Sequence, residues 1–279
     1  MATGQNYMIQ SKIETKTHPK ELSIQVSLNG LSFCILNTES NTITHLKSFP
    51  SSKKQTPQEL LDHLKHVFNT ENILHEDFNA VTIIHVNELS TLVPKPLFNE
   101  DIIADYLKLN AKILKTDFIT HDTIALNDSV NIYVPYVNAN NFIYDHFGDF
   151  TYKHYSTILI ESVMLAEKNA SGSKLYIHVN PSHFEIVAVK DSELKLYNTF
   201  EYDTPEDFIY YLLFTTEQLS LNPETINVQL LGEINDTDAL YKIAYKYIRN
   251  ISFGNRNDPF AFAEKPNANH SHFTLLKSL

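Results

Sequence analysis

Glycine is scarce in this sequence, and its scarcity excludes whole classes of nucleotide site. The 279 residues include six glycines, and even the closest pair, Gly232 and Gly254, is widely separated. The Walker A, dinucleotide-binding and protein-kinase loops each need several glycines within about eight residues, because backbone without a Cβ must approach the phosphates closely. None of these loops can therefore form in this chain.

Cysteine is nearly absent, and long apolar runs are missing. Cys34 is the only cysteine, so no intrachain disulfide can form and an oxidising compartment is not indicated. No run approaches the roughly 18 apolar residues of a membrane-spanning helix, and the N-terminus lacks the apolar region of a signal peptide. We therefore expect a cytoplasmic protein that does not insert directly into a membrane.

Positively charged residues are fewer than negatively charged ones, so the formal net charge is −11 and the pI is near 5.6. Only Arg249 and Arg256 carry the planar guanidinium that clamps phosphate. Affinity for nucleic acid depends on many Lys and Arg contacts to phosphates, so a nucleic-acid partner is not expected. The hydrophobic share of 43% is enough to build the cores of a folded protein of two domains or one large one.

What the sequence does contain is a pattern that occurs twice. Residues 21–49 and 174–200 each predict three antiparallel strands joined by short turns, and Asn29-Gly30 is a strong hairpin signal. Each copy is followed by a Thr-Pro pair that opens a capping box, at Thr56 and at Thr204. A buried strand and an amphipathic helix then follow in both halves, so the sequence predicts a duplicated βββαβα unit.

The rest of the chain supplies the boundaries of the two predicted units. In the first half, residues 98–114 have the apolar spacing of an amphipathic helix. Residues 169–173, NASGS, are small and polar and form the best boundary between the halves. We therefore predict an N-terminal arm at residues 1–20, a first lobe at 21–170 and a second lobe at 171–279.

This duplicated unit resembles the actin-like ATPase superfamily of actin, sugar kinases and Hsp70 chaperones. Residues 177–186, IHVNPSHFEI, lie over the phosphate-binding strand and turn of that superfamily, and residues 24–30, IQVSLNG, lie over its other phosphate loop. The closest further likeness is in the stretches LSIQVSLNGLSFCI, LVPKPLF, DYLKLN, YVPYVNANNFIYDHFG and YKHYSTILIE. Through them, and over nearly its full length, the chain resembles an uncharacterised Bacteroidetes family catalogued as a domain of unknown function. The resemblance implies a duplicated actin-like (ribonuclease H-like) α/β fold, with two lobes that each hold a mixed five-stranded sheet and flanking helices.

The phosphate loops depart from the pattern of active members of the superfamily. Gln25 and His178 stand where the resemblance implies aspartate, and Pro181 removes a backbone N–H that a phosphate cradle would use. We therefore expect a degenerate nucleotide cleft, with no catalytic residue and no metal site. Its candidate cofactor-binding positions are Gln25, Ser27, Asn29, His178, Asn180, Ser182 and Gly232.

Two functions remain open from the sequence. The first is a non-catalytic scaffold or protein-binding module with no required cofactor, whose partner is a protein that the sequence does not identify. The alternative is a divergent ATP-binding protein or small-molecule kinase that uses the remaining polar side chains to bind ATP and Mg²⁺ weakly. His63 and His66 form a possible metal-ligand pair on one helix, but no third ligand is placed nearby, and a solvated helical face explains them better.

Overall fold

The computed structural model of the chain describes residues 19–279, so the predicted N-terminal arm lies outside it except for Pro19 and Lys20. We number helices and strands in chain order. The helices are α1 (Pro57–Thr70), α2 (Ile103–Lys108), α3 (Val137–Phe147), α4 (Tyr155–Ala166), α5 (Pro205–Gln218), α6 (Ala239–Tyr247) and α7 (Phe273–Leu276). Among these described residues, no helix has both the length and the apolar character needed to cross a bilayer.

The first sheet is built on the predicted meander. Its strands are β1 (Lys20–Ser27), β2 (Gly30–Asn37), β3 (Thr42–Pro50), β4 (Ala80–Val86), β8 (Thr151–His154) and β14 (Ala261–Phe262). They lie in the order β14-β3-β2-β1-β4-β8, and β1 pairs antiparallel with β2 and parallel with β4. Apolar side chains on one face of β1 pack with α1 and α3 because side chains alternate along a strand.

The second sheet repeats this arrangement. Its strands are β9 (Ser173–Val179), β10 (His183–Lys190), β11 (Glu193–Glu201), β12 (Asn227–Gly232) and β13 (Asn250–Phe253). They lie in the order β11-β10-β9-β12-β13, and β9 pairs antiparallel with β10 and parallel with β12. Five consecutive strands of the first sheet have the same order, so the predicted fold class is confirmed. The short strand β14 extends the first sheet by one further strand.

A third, smaller sheet is inserted between β4 and α3. It consists of β5 (Ser90–Pro94), β6 (Thr120–Ile124) and β7 (Ser129–Tyr133), in the order β5-β7-β6. The prediction of one amphipathic helix over residues 98–114 was wrong, because α2 ends at Lys108. The reason is packing: Leu109 and Leu114 remain 83% and 69% exposed and Ile113 is only partly buried, so the end of the segment covers too little apolar surface to hold a helix.

Both predicted capping boxes begin helices in the structure. The Thr56 hydroxyl accepts from the Glu59 N–H at 3.2 Å, and the Glu59 carboxylate accepts from the Thr56 N–H at 2.8 Å. Thr204 and Asp207 make the same reciprocal pair at the start of α5. Each box satisfies backbone donors that the helix geometry leaves unpaired, which fixes where α1 and α5 begin.

Helix α4 lies between the two large sheets. Its sequence is apolar nearly all round, and the run from Tyr155 to Ile160 is buried throughout. Tyr155 and Ile158 pack with residues of the first sheet, whereas Leu159 and Ile160 pack with residues of the second. A helix that is apolar on all faces is stable only where it is enclosed, so α4 is the shared core of the two halves.

The C-terminal segment crosses from the second sheet to the first. Strand β14 pairs with β3, and α7 contacts β1, β2, α4 and β12. The turn before α7 is held by Arg256, a fully buried side chain whose guanidinium donates to both carboxylate oxygens of Asp258. The same guanidinium donates to the carbonyl oxygens of Ala268 and Ser271. This single cation therefore organises the loop that returns the chain to the first sheet.

We expect Asp258→Ala to destabilise the protein by about 3 kcal/mol, because it leaves the buried Arg256 guanidinium without its carboxylate. The measurement is urea unfolding at neutral pH. The control is Glu201→Ala, which removes an exposed pair with Lys54 and should cost about 0.5 kcal/mol. Equal losses for the two variants would contradict the organising role of Arg256.

His85 joins β4 to the chain that returns from the inserted sheet. Its Nδ1 accepts from the Tyr136 backbone N–H at 3.2 Å, and its Nε2 lies 3.0 Å from the Asn140 Oδ1. With Nδ1 as acceptor, the ring is neutral and Nε2 carries the proton that it donates. Burial lowers the pKa of His85 to about 4, partly offset by the hydrogen bond to Asn140.

Folding stability should therefore fall as the pH drops, because the unfolded chain takes up a proton on His85 near pH 6.5 and the folded chain does not. We expect the decrease in unfolding free energy between pH 7 and pH 5 to be about 2 kcal/mol smaller in His85→Gln than in the unmodified protein. Urea unfolding at both pH values is the measurement. Asn69→Gln, at an exposed position on α1 and without an ionisable group, is the control and should leave the pH dependence unchanged. An unchanged pH dependence in His85→Gln would contradict a neutral, buried ring.

Candidate functional site

The candidate site lies where β1 and β9 face each other across the junction of the two large sheets. In β1, Leu22, Ile24 and Val26 enter the first core, so Ser23, Gln25 and Ser27 point to the other face. In β9, Leu175, Ile177 and Val179 enter the second core, which turns Tyr176 and His178 to the junction. The alternation that builds the two cores therefore also places the polar side chains opposite each other.

The turns that follow these strands are in direct contact. The Asn29 Nδ2 donates to the Ser182 Oγ at 2.6 Å, which joins the β1–β2 turn to the β9–β10 turn. The first turn is centred on Leu28 and Asn29, one residue earlier than predicted, and Gly30 follows with φ of 129°. A Cβ on Gly30 would lie 2.4 Å from the Phe49 carbonyl oxygen, so only glycine fits there.

A cavity of about 420 Å³ lies beside this contact. Six of the predicted positions line it, and Ser182 lies outside it, at the contact with Asn29. The start of α7 forms a further wall, through His272, Phe273 and Thr274. The structure therefore brings the predicted residues together, and it adds the C-terminal segment, which contributes none of the predicted positions. The six lining positions are Gln25, Ser27, Asn29, His178, Asn180 and Gly232.

The side chains from β1 are already engaged by the protein. The Gln25 Oε1 accepts from the Thr274 hydroxyl at 2.7 Å. The Ser27 hydroxyl donates to the Gly30 carbonyl oxygen at 3.0 Å and accepts from the Asn29 N–H at 3.1 Å. These bonds fix the β1–β2 turn and attach α7 to it.

The structure explains why a glycine stands at position 232, at the end of β12. Its φ is +82°, its N–H donates to the His270 carbonyl oxygen at 2.8 Å, and a Cβ would lie 2.4 Å from the Val179 carbonyl oxygen. The absence of a side chain thus lets β12 and β9 end in close contact beneath His178. Gly172 has the same φ of +82° but has no atom within 4 Å of the corresponding Cβ position.

Glu185 is a fully buried carboxylate that the list of candidate residues missed. It lies opposite His178 in the β9–β10 pairing, and its Oε2 is 2.7 Å from the His178 Nδ1. The Asn180 Nδ2 donates to the same oxygen at 3.0 Å, and the Tyr155 hydroxyl donates to Oε1 at 2.8 Å. The available sequence signal was an acidic residue inside the apolar strand HFEIVAVK, where an unpaired charge would be costly.

The electrostatics of the cavity are those of a neutral to acidic site. Of the described residues that line it, none is lysine or arginine. Burial lowers the pKa of His183 below its usual value, opposed by the charge of Glu185. Burial, with a further contribution from Glu185, raises the pKa of Tyr155 well above its usual value, so its hydroxyl stays a donor. Residues 19–279 hold no group of three or more His, Cys, Asp or Glu that could bind a metal ion.

The two matching sheets, with phosphate-loop positions facing each other across their junction, define an actin-like ATPase fold. A Bacteroides thetaiotaomicron VPI-5482 protein, described as having an actin-like ATPase fold and unknown function, superposes with a TM-score of 0.72. It is 26% identical, and the match covers 86% of this chain and 92% of that one. The PilM–PilN type IV pilus biogenesis complex contains a chain with a TM-score of 0.59 and 10% identity, over 92% of this chain and 97% of that one.

The family assignment follows from the sequence match. The chain belongs to the family described as "Protein of unknown function (DUF3822)", whose model matches residues 10–251. No curated protein matches the chain. The resemblance to a family of unknown function, seen in the sequence over nearly its full length, is therefore confirmed.

Alanine substitutions at Gly172 and Gly232 separate the energetic cost of a positive φ from the cost of a steric clash. Gly172→Ala should cost about 1 kcal/mol, because alanine disfavours positive φ. Gly232→Ala should cost about 3 kcal/mol, because the added Cβ also collides with the backbone of β9. Urea unfolding of both variants is the measurement, and equal costs would show that the close contact at Gly232 has no energetic weight.

Proposed function

We propose that this protein is a non-catalytic scaffold or protein-binding module of actin-like fold, with a degenerate nucleotide cleft. The observation that carries the proposal is the hydrogen bond of 2.6 Å between Asn29 and Ser182. The resemblance puts the phosphates of a bound nucleotide between the two turns that these residues join. Because the turns bond directly to each other, a triphosphate would have to break this contact to enter.

The chemistry of the junction supports the same proposal. His178 and Asn180, at positions of the second phosphate loop, both contact the buried Glu185 carboxylate. A negatively charged phosphate beside this carboxylate would be repelled, and of the described residues that line the cavity of about 420 Å³ none is Lys or Arg; Lys53 and Lys54 lie outside it, beside the contact between Asn29 and Ser182. A phosphate also gains most from several backbone N–H donors, and Pro181 supplies none.

A protein partner is supported by exposed apolar side chains in the segment that joins β5 to β6, which we call the insertion surface. It consists of Leu97, Leu109, Leu114 and Phe118, all of which are large and exposed. Several large apolar side chains exposed in one short segment are more than the scattered single ones that are normal on a protein surface, and they are what a protein interaction site would use. The PilM–PilN complex, which contains a chain of similar fold, is an assembly of proteins and supports this class of partner by analogy alone.

The proposal includes a duplication and a location. We infer that residues 21–170 and 171–279 descend from one copied unit, because five strands have the same order in both sheets. The contact between Asn29 and Ser182 joins corresponding turns of the two units. We place the protein in the cytoplasm because its single cysteine is buried and forms no disulfide.

A divergent ATP-binding protein or small-molecule kinase is the second candidate. The cavity of about 420 Å³ favours it, because six of the positions that the resemblance assigns to the nucleotide cleft line this cavity. In that case Gln25 and Asn180 would contact the nucleotide in place of the usual acidic and glycine residues.

A thermal melt with millimolar Mg-ATP separates the two candidates. The scaffold proposal predicts an unchanged melting temperature, since a ligand stabilises a folded protein only by binding to it. A clear increase that is lost when Gln25 and Asn180 are both changed to Ala would support the second candidate.

The insertion surface is tested separately by affinity purification from cells. We expect one reproducible partner protein that no longer binds when Leu109, Leu114 and Phe118 are all changed to Ser. The matched control is Tyr144→Ser, an exposed aromatic position on α3. Retention of the partner by the triple variant would contradict the role of this surface.

A further inference from the structure

One ring nitrogen of His178 contacts other side chains of the protein, and the other nitrogen faces the cavity. Its Nδ1 lies 2.7 Å from the Glu185 Oε2 and 3.2 Å from the Asn180 Nδ2. The ring is 3% exposed, and its Nε2 makes no hydrogen bond within the described part of the chain. A carboxylate at one nitrogen fixes the orientation and tautomer of a histidine ring, so that the other nitrogen is presented in a defined direction.

The side-chain amides of Gln25 and Asn180 also have one atom bonded to the protein and another that faces the cavity. The Gln25 Oε1 accepts from Thr274, which leaves the amide N–H groups of Gln25 free to donate. The Asn180 amide nitrogen donates to Glu185, which leaves its Oδ1 free to accept. Both residues line the cavity with His178, so it contains a fixed donor and fixed acceptors that have no partner among residues 19–279.

The remaining walls determine what kind of ligand fits. Leu31, Val86 and Phe273 give the cavity apolar area, and Phe273 lies 6.2 Å from the His178 ring. Glu233 contributes a carboxylate at the rim, and the described lining residues include no lysine or arginine to balance an anion. A volume of about 420 Å³ lies within the range of small-molecule sites in proteins.

We propose that this cavity binds an uncharged, hydroxyl-bearing small molecule of sugar or nucleoside size, with the His178 Nε2 as its central hydrogen-bond partner. Neutral hydroxyl groups match the mixed donors and acceptors of Gln25, Asn180 and His178 without bringing a charge near Glu185. Binding at the junction of the two sheets would contact β1, β9 and α7 together. The inference requires no protein partner, so it stands or falls independently of the scaffold function.

The experiment is a thermal melt and calorimetric titration of the full chain with named probes. Adenosine represents nucleosides, glucose and myo-inositol represent free polyols, and Mg-ATP is the charged counterpart of adenosine. We expect one of the uncharged probes, at 100 times its dissociation constant, to stabilise the protein by about 2.7 kcal/mol. The probe that binds shows whether the cavity takes nucleosides or free polyols.

Two serine variants show where the probe binds. Ser32 lies opposite Gln25 in the β1–β2 pairing and lines the cavity, so Ser32→Trp should fill it and weaken binding at least tenfold. Ser252→Trp, at an exposed position on β13, should leave binding unchanged. Neither change touches the buried Glu185 contacts, so both variants should fold.

A third readout uses the unmodified protein and therefore does not depend on how any variant folds. In histidine side-chain NMR, the bound probe should shift the Nε2 resonance of His178 while its Nδ1 stays bonded to Glu185. The inference is overturned if no uncharged probe binds at 10 mM. It is also overturned if Mg-ATP binds more tightly than adenosine, or if binding survives Ser32→Trp.

Discussion

A carboxylate that is buried away from water loses its hydration and must be stabilised by hydrogen bonds from the protein. In this structure the side chains at the junction of the two large sheets are arranged around such a carboxylate, that of Glu185. Its oxygens contact His178 and Asn180 on the strand and turn of the second phosphate loop, and Tyr155 on the helix between the sheets. Removing a partner from a buried charge costs several kcal/mol, so these side chains are held in place. These contacts fix the His178 Nδ1 and the Asn180 amide nitrogen, so the outward-facing atoms of both side chains have defined positions beside the cavity.

The two halves are joined by shared structure as well as by this network. Helix α4 gives side chains to the cores on both sides, and α7 returns the C-terminal residues to β1 and β2. The hydrogen bond from Thr274 to Gln25 connects α7 to β1. In this arrangement the C-terminal segment is part of the junction, and the cavity beside it is enclosed by three separate parts of the chain.

Local features of this fold were predictable from sequence, and distant pairings were not. The capping boxes at Thr56 and Thr204 and the strand alternation of β1 and β9 depend on neighbouring residues, so their patterns are directly readable. The partner of Gln25 is 249 residues away in the chain, and no spacing rule connects the two. The helix predicted over residues 98–114 stops early because periodicity shows which face is apolar but does not show whether a surface exists to bury it.

The central claim is that the two turns at the junction stay closed in the presence of nucleotide. Spin labels on cysteines introduced at Lys53 and Asp203, both exposed residues beside these turns, would report the distance between them by pulsed electron resonance. Cys34 is buried, so the introduced cysteines are the ones that react with the label. The account predicts the same single distance with and without Mg-ATP, and a longer or second distance on adding Mg-ATP would contradict it.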